Sequence, residues 1–397
     1  MLSKQTITDL PASDIAGKCV LIRVDLNVPL KNGVITDETR IRASIPTLKY
    51  LIDNNAKLII ASHLGRPNGE VKPELSLAPV AKSLTKHLGI NVLQAPDCIG
   101  AEVESMVSNL NNGDALLLEN VRFHKEEEEN DPGFVKKLAN LADMFIFDAF
   151  GTAHRQHATT AGISALLPAY AGFLVQKELE FLDHSVNNPK QPFVAIIGGA
   201  KVSSKIGVLK HLLEKVDALV IGGAMVFTFL KAKGINIGKS LCEDSKIPEA
   251  VQLLERAKAL GANIIFPVDQ VVTADLGDDT SFAVVDINAI PDNMMGVDIG
   301  PKSIKEITES VKGAGTVLWN GPLGIFEIPR FAEGTFAVAK ALASSHATTI
   351  IGGGDSAAAI AKAGLSDSIS HISTGGGASL KFLEGTELPG VAALKDK

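Results

Sequence analysis

The chain has 397 residues, 46% of them hydrophobic, which is enough for two domains with separate cores. Its 38 Lys and Arg against 45 Asp and Glu give a net charge of -7, which argues against nucleic acid or an anionic membrane as the main partner and leaves room for a small anion held by local charge. Cys19, Cys98 and Cys242 lie far apart with no CxxC or zinc spacing, the first six residues hold no apolar signal segment, and no run of about eighteen apolar residues occurs; a soluble cytoplasmic protein with no disulfide framework is expected.

The first half repeats one theme of apolar run, polar turn and helix. Residues 19–28 form a strand candidate whose end carries Arg23, Asp25 and Asn27. Residues 36–55 read as a helix with Arg40 and Arg42 near its start. Strand 57–61 leads into Ser62-His-Leu-Gly-Arg-Pro67, helix 77–88 follows, then strand 91–94 and helix 101–110. Strand 114–118 leads into Glu119-Asn-Val-Arg-Phe-His-Lys125, and helix 132–141 opens on Pro132, where the missing N–H costs nothing. Strand 144–147 leads into Asp148-Ala-Phe-Gly-Thr-Ala-His-Arg-Gln-His157. This alternation predicts a parallel sheet covered on both faces, with ligands at the carboxyl ends of its strands. Arg23, His63, Arg66, Arg122, His154 and Arg155 gather there. One such arginine reads as a surface ion pair worth about 0–1 kcal/mol. Four after successive strands read as an anion site, because the guanidinium fork takes phosphate or carboxylate oxygens bidentately. The acidic run 126–129 reads as a solvated face.

Residues 171–188 predict one long helix with Val175, Leu179, Leu182 and Val186 as its apolar stripe, and residues 187–192 end it with loop chemistry. In the second half the strand ends turn glycine-rich. Strand 194–197 leads to Gly198-Gly-Ala, with Lys201 and Lys205 beyond; taken alone, these are equally two solvated lysines or an anion site on the first turns of a helix. Strand 218–221 leads to Gly222-Gly-Ala, 263–266 to Pro267-Val-Asp269, 316–319 to Asn320-Gly-Pro322, 348–351 to Gly352-Gly-Gly-Asp-Ser356, and 371–374 to Gly375-Gly-Gly-Ala-Ser379. Several such turns on one rim point to a nucleotide, with Asp355 a suitable Mg²⁺ ligand. No G-x-x-x-x-G-K-[ST] and no G-x-G-x-x-G is present, so this is neither an ordinary P-loop enzyme nor a recognisable dinucleotide site.

An arginine rim and a glycine rim, joined by a helix, suggest phosphoryl transfer across a cleft that closes to exclude water. A non-catalytic anion-binding protein would not need the lysine pair and Asp355. A dehydrogenase should carry a dinucleotide fingerprint.

The segments Arg23-Val-Asp-Leu-Asn-Val-Pro29, Ser62-His-Leu-Gly-Arg-Pro67, Glu119-Asn-Val-Arg-Phe123, Asp148-Ala-Phe-Gly-Thr-Ala-His-Arg155, Gly198-Gly-Ala-Lys-Val202, Trp319-Asn-Gly-Pro322, Gly352-Gly-Gly-Asp355 and Ser373-Thr-Gly-Gly-Gly-Ala378 stand in this order along essentially the whole chain. Together they resemble phosphoglycerate kinase. The resemblance implies an α/β fold of two doubly wound, Rossmann-like parallel-sheet domains joined by a long helix and hinge. Residues 1–172 would bind phosphoglycerate, 173–188 form the interdomain helix and 189–379 bind nucleotide, with residues from about 380 to 397 packing back on the first domain. The reaction implied is reversible, Mg²⁺-dependent, in-line phosphoryl exchange between 1,3-bisphosphoglycerate and ADP, giving 3-phosphoglycerate and ATP, in glycolysis and gluconeogenesis, by a cytoplasmic monomer. Arg23, Asp25, Asn27, Arg40, His63, Leu64, Gly65, Arg66, Arg122 and Arg155 would hold phosphoglycerate. Gly199, Lys201, Lys205, Gly222, Gly223, Asn320, Glu327, Gly353, Gly354, Asp355 and Ser356 would hold nucleotide, with Glu327 on the ribose and Asp355 on Mg²⁺. Arg40, Lys201, Gly376 and Gly377 would stabilise the moving phosphoryl group. Ser356, in place of a more usual Thr, and Lys381, in place of an acidic residue, depart from the pattern.

Overall fold

Two compact units emerge from the computed structural model, Met1–Glu180 with Glu387–Lys397, and Phe181–Thr386. Residues 4–277 and 281–397 are described; the first three residues of the expected first domain and residues 278–280 of the expected second lie outside them.

The first unit carries β1 (Cys19–Val24), a hairpin of β2 (Leu30–Lys31) and β3 (Val34–Ile35), then β4 (Lys57–Ala61), β5 (Val92–Gln94), β6 (Ala115–Leu117), β7 (Met144–Asp148) and β8 (Ala169–Ala171). Its sheet runs in the order β5-β6-β4-β1-β7-β8, with every pair parallel. Helices such as Thr39–Asp53 and Ala78–Leu88 connect the strands. The central strands are buried throughout, which is why they read as unbroken apolar runs rather than alternating ones. From β1 the chain builds outward first through β4 and later through β7, so the strand order reverses between β1 and β7. Such a reversal opens a crevice at the carboxyl ends.

Phe173–Asn187 forms the long helix, its stripe of Val175, Leu179, Leu182 and Val186 buried as expected. Asp148, at the end of β7, caps it: Oδ1 accepts from the N–H groups of Leu174 and Val175 at 2.9 and 3.1 Å. Burial lifts the Asp148 carboxyl to about 6. The carboxyl-terminal stretch joins the first unit from Glu387 onward. Gly390 N–H donates to the Ala153 carbonyl at 2.9 Å, and Lys4 Nζ donates to the Leu394 carbonyl at 2.9 Å.

The second unit carries β9 (Phe193–Ile197), β10 (Ala218–Ile221), β11 (Asn263–Ile265), β12 (Asp269–Thr273), β13 (Phe282–Asp286), β14 (Met295–Ile299), β15 (Thr316–Asn320), β16 (Thr348–Gly352) and β17 (His371–Ile372). Six of them form a second parallel sheet, β11-β10-β9-β15-β16-β17, whose order reverses between β9 and β15. The antiparallel sheet β13-β12-β14 is an addition that the repeating theme did not announce. The outer strand β13 is mostly exposed and lacks the all-apolar signature of a buried strand.

The glycines at the ends of β9, β10 and β15 let three backbones meet. Gly223 has φ +65°, and a Cβ there would lie 2.4 Å from the Gly199 nitrogen; at Gly321, φ is +96° and a Cβ would lie 2.2 Å from the Gly198 oxygen. Any side chain at either position meets backbone that cannot move aside. Gly321→Ala should therefore destabilise the second unit by about 2–4 kcal/mol, combining left-handed strain with overpacking. Trp319, the one tryptophan of the chain, is buried beside it with Nε1 donating to the Gly321 carbonyl at 2.7 Å. Its fluorescence reports the unfolding of this unit in urea, and an unchanged midpoint would show that the turn has room to relax.

Candidate functional site

In the first unit the site grows from the end of β1. Arg23 is 1% exposed, and its guanidinium is committed inward. Nε donates to Thr159 Oγ1 at 2.9 Å, Nη2 donates to His63 Nδ1 at 2.9 Å, and Nη1 donates to the Val24 carbonyl. Two residues on, Asp25 accepts from Arg40 Nη1 with both carboxylate oxygens at 3.0 Å. Arg40 stands on the first turn of helix Thr39–Asp53 and also reaches the Asn27 carbonyl at 3.2 Å. Asn27 Oδ1 accepts from the Gly65 N–H at 2.9 Å, tying the β1 loop to the β4 loop.

The β4 loop is held from its other side by Asn120. Its Oδ1 accepts from Leu64 and Arg122 N–H, both at 3.2 Å, and its Nδ2 donates to the Leu64 carbonyl at 2.7 Å. Arg122 is buried, donates Nη1 to the Gly65 carbonyl at 3.0 Å and has Glu128 as an ion-pair partner at 3.2 Å. Its Nη2 is buried without a hydrogen-bond partner. Arg66 is exposed and Arg155 half-buried.

The electrostatics of this rim centre on His63. Burial, then the charges of Arg23, Arg122, Arg155 and Arg40, hold its ring well below the usual histidine range, so it is neutral at pH 7. Desolvation likewise brings Arg122 down to about 10, and His157 falls to about 4 through burial beside Arg122, Arg155 and Arg23. Burial is the leading cause of all three shifts, and each also carries the repulsion of neighbouring arginines. A bound phosphate or carboxylate would relieve that repulsion.

The acidic run is not the solvated face that its composition suggests. Glu127 is fully buried and accepts from Thr159, and Glu128 pairs with Arg122. A four-residue acidic string gives no sign of which member turns inward; the short helix Lys125–Glu129 decides it.

In the second unit the glycine turns cluster at the ends of β9, β10, β15 and β16. The helix expected directly after Gly199 starts later. A 3₁₀ turn, Val202–Ser204, intervenes, Lys201 stands extended ahead of it, and the α-helix runs over Ile206–Leu212. Lys201 is exposed, whereas Lys205 is half-buried, and desolvation lowers it to about 8 against the opposing pull of Asp355. Gly353 caps helix Gly354–Lys362 with φ +90°, which puts exposed Asp355 in its first turn. Ser356 is buried and accepts from the Gly321 N–H at 2.6 Å, so its hydroxyl ties the β16 turn to the β15 turn. Asn320 is fully buried, and neither atom of its side-chain amide has a partner. Gly376 caps helix Gly377–Leu383 beside open space, steadied by Ser373, which bonds the Gly375 N–H at 3.1 Å and Ser379 at 2.6 Å. Lys381, on that helix, pairs with Glu384 at 2.7 Å.

A cleft of about 300 Å³ opens beside these turns. Gly199 and Gly223 lie at one part of its lining, Glu327 and Asp355 at another, and Phe227, Leu241, Val297 and Leu323 supply apolar walls. The four apolar residues, like Asn120, Thr159 and Glu127 in the first unit, were not singled out from sequence. Core hydrophobics and cleft hydrophobics look alike in a sequence. Only Asn120, next to Glu119 and two residues before Arg122, sat inside a quoted motif.

Comparison with known proteins bears on both rims. The family model for phosphoglycerate kinase matches residues 7–386. A phosphoglycerate kinase from Dictyoglomus turgidum is 54% identical over 397 residues, with all of both chains covered, and a cytosolic phosphoglycerate kinase from Triticum aestivum is 56% identical over 401 residues, again with both chains covered in full. Among solved structures, phosphoglycerate kinase from Coxiella burnetii superposes with a TM-score of 0.92 at 43% identity, covering 98% of each chain, and that from Pyrococcus horikoshii with 0.83 at 32%, also covering 98% of each.

The lowered Lys205 generates a signed expectation. Above about pH 8 its ammonium loses the proton and with it the attraction for an anion. Affinity for ATP, followed by calorimetry from about pH 7 to about pH 9.5, should fall as pH rises through that value. Lys205→Arg, which keeps its charge, should flatten the curve. A flat curve in the parent protein would mean that Lys205 does not meet the nucleotide.

Proposed function

The chain belongs to the phosphoglycerate kinase family, and from that premise we propose how its residues divide the reaction. It is a phosphotransferase of glycolysis, exchanging a phosphoryl group between 1,3-bisphosphoglycerate and ADP. On our reading, Asp25, Asn27, Arg40, His63, Leu64, Gly65, Arg66, Arg122 and Arg155 bind phosphoglycerate; Arg23, expected among them from sequence, has its guanidinium taken up by Thr159, Val24 and His63 and serves them from behind through His63. The observation that carries this is the convergence of Arg23, Arg122, Arg155 and Arg40 on buried, neutral His63, together with the unbonded, buried Nη2 of Arg122 among the described residues.

Nucleotide is assigned to Gly199, Lys201, Lys205, Gly222, Gly223, Asn320, Glu327, Gly353, Gly354, Asp355 and Ser356. The unsatisfied amide of Asn320 and the apolar cleft support that reading. Ser356 contributes by holding the turn, since its hydroxyl is already bonded to Gly321. Asp355 fits Mg²⁺: its carboxylate is exposed, and a nucleotide-bound magnesium takes one or two carboxylates with phosphate oxygens and water. When bound, the ion would neutralise charge on the phosphate chain. Arg40, Lys201 and the N–H groups of Gly376 and Gly377 would stabilise the phosphoryl group in transit.

No general base is required, because the acceptor is a carboxylate with a pKa near 4, ionised at neutral pH. Asp25 therefore orients Arg40 rather than abstracting a proton. Water competes for the phosphoryl group, so we assign to the residues around the long helix the role of a hinge for a closing motion that excludes it. The partners are small molecules, with neither nucleic acid nor membrane; among the described residues no helix is long and apolar enough to cross a membrane. A cytoplasmic monomer is the simplest working form, and the wheat relative is cytosolic by name while Arabidopsis relatives include chloroplastic ones.

With 3-phosphoglycerate and MgATP, the protein alone should produce ADP and an acyl phosphate in a coupled assay. Arg40→Ala and Lys201→Ala should each lower kcat by about 10³-fold or more, the scale of a charge that meets the phosphoryl group in transit. Their melting temperatures should barely move, because both side chains are substantially exposed. Unchanged turnover in either variant would remove that residue from the catalytic set.

A further inference from the structure

Behind the phosphoglycerate rim runs a line of contacts that substrate binding does not by itself require. Glu127, fully buried, accepts from the Thr159 N–H at 3.0 Å with Oε2 and from the Thr159 hydroxyl at 2.6 Å with Oε1. A hydroxyl has one proton, and this one is committed to the carboxylate. The Thr159 lone pairs are then left for the Nε–H of Arg23, at 2.9 Å. Arg23 donates from Nη2 to His63 Nδ1, also at 2.9 Å. Arginine has no acceptor, so Nδ1 is the bare nitrogen, and the neutral ring carries its proton on Nε2.

Two further features fit this order. Thr159 is the second residue of a single π-helical turn, Ala158–Gly162, where the backbone N–H has no partner within the helix and is available to Glu127; such turns are frequent at functional sites. Arg23 has no carboxylate in direct contact, so Glu127, beyond Thr159, is the foremost charge favouring its ionised state. His157 lies 4.0 Å from Glu127 Oε1, and Arg122, Arg155 and Arg40 act on His63 from the other loops.

We propose that Glu127, Thr159 and Arg23 are positioning residues for the phosphoglycerate half of the reaction, a relay that presents His63 to substrate as an Nε2–H donor. The inference rests on the reading of His63 as a substrate-contacting residue. Replacing Glu127 by the isosteric Gln leaves one oxygen for two Thr159 donors. Either the N–H faces an amide donor, or the hydroxyl turns and points its proton at Arg23. In the first case the Thr159 backbone loses its anchor, and in the second Arg23 loses its acceptor; both loosen the hold on His63 Nδ1.

The test uses the full chain with ¹⁵N-labelled histidine. In the parent protein the His63 ring should show an unprotonated Nδ1 and a protonated Nε2. In Glu127→Gln and in Thr159→Val the two tautomers should mix. KM for 3-phosphoglycerate should rise about tenfold, as for one lost hydrogen bond to a charged group, with KM for MgATP within about twofold of the parent. Thr159→Ser, which keeps the hydroxyl, should restore both. If His63→Ala leaves KM for 3-phosphoglycerate unchanged, the reading of the site fails and the relay with it. If His63→Ala raises that KM while Thr159→Val changes neither tautomer nor KM, the relay alone is overturned. Equal rises in both KM values would also overturn it, since they mark general loosening. Should Glu127→Gln not fold, Thr159→Val and Thr159→Ser decide.

Discussion

A buried guanidinium with no carboxylate in contact among the described residues sets the terms for the first unit. Asp25 answers Arg40 and Glu128 answers Arg122, but Arg23 has Glu127 only at one remove. Removing a charge from water costs several kcal/mol unless partners replace the lost hydration. The sheet meets that demand by ending β1, β4, β6 and β7 at one edge, where the Val24 and Gly65 carbonyls accept from the guanidinium groups and Asn120 ties the loops together. What they leave over is positive potential aimed at a small space. An imidazole that stays neutral there can donate one hydrogen bond without adding to the repulsion.

The second unit answers a related problem with different chemistry. Its rim is mostly backbone: glycine turns from neighbouring strands approach so closely that a Cβ would collide with a main-chain atom. A polyphosphate chain is long, and a row of amide hydrogens can follow it where a single guanidinium fork cannot. Lysines 201 and 205 add charge at the edge, and apolar walls nearby suit a flat ring. On the proposed reading the same doubly wound scaffold carries two anion sites, one made of side chains for a compact anion and one made of main chain for an extended one.

Much of this was legible in the residues. Buried parallel strands announce themselves as apolar runs, so both parallel sheets followed from pattern, and nearly every residue assigned to a rim lies in the turns after those strands. The long helix declared itself through the spacing of Val175, Leu179, Leu182 and Val186. The short strand β8, the β2–β3 hairpin and the antiparallel sheet β13-β12-β14 did not; the hairpin strands are two residues each and exposed or half-buried, and β13 is exposed, so neither presents a buried apolar run. Lys201 and Lys205 were legible as a pair, yet not as one exposed and one half-buried, because a 3₁₀ turn ahead of the α-helix leaves no mark that spacing can detect. Glu127 escaped for a related reason: its burial depends on Thr159, 32 residues away, and no local pattern encodes that contact.

The claim beneath the rest is that this gathered positive charge exists to receive phosphoglycerate. A crystal structure of the protein with 3-phosphoglycerate bound tests it most directly. The account predicts ligand oxygens within about 3 Å of Arg122 Nη2 and of His63 Nε2, the groups that lack an internal partner or are held ready for one. A ligand seated elsewhere, with Arg122 Nη2 still unbonded, would contradict it.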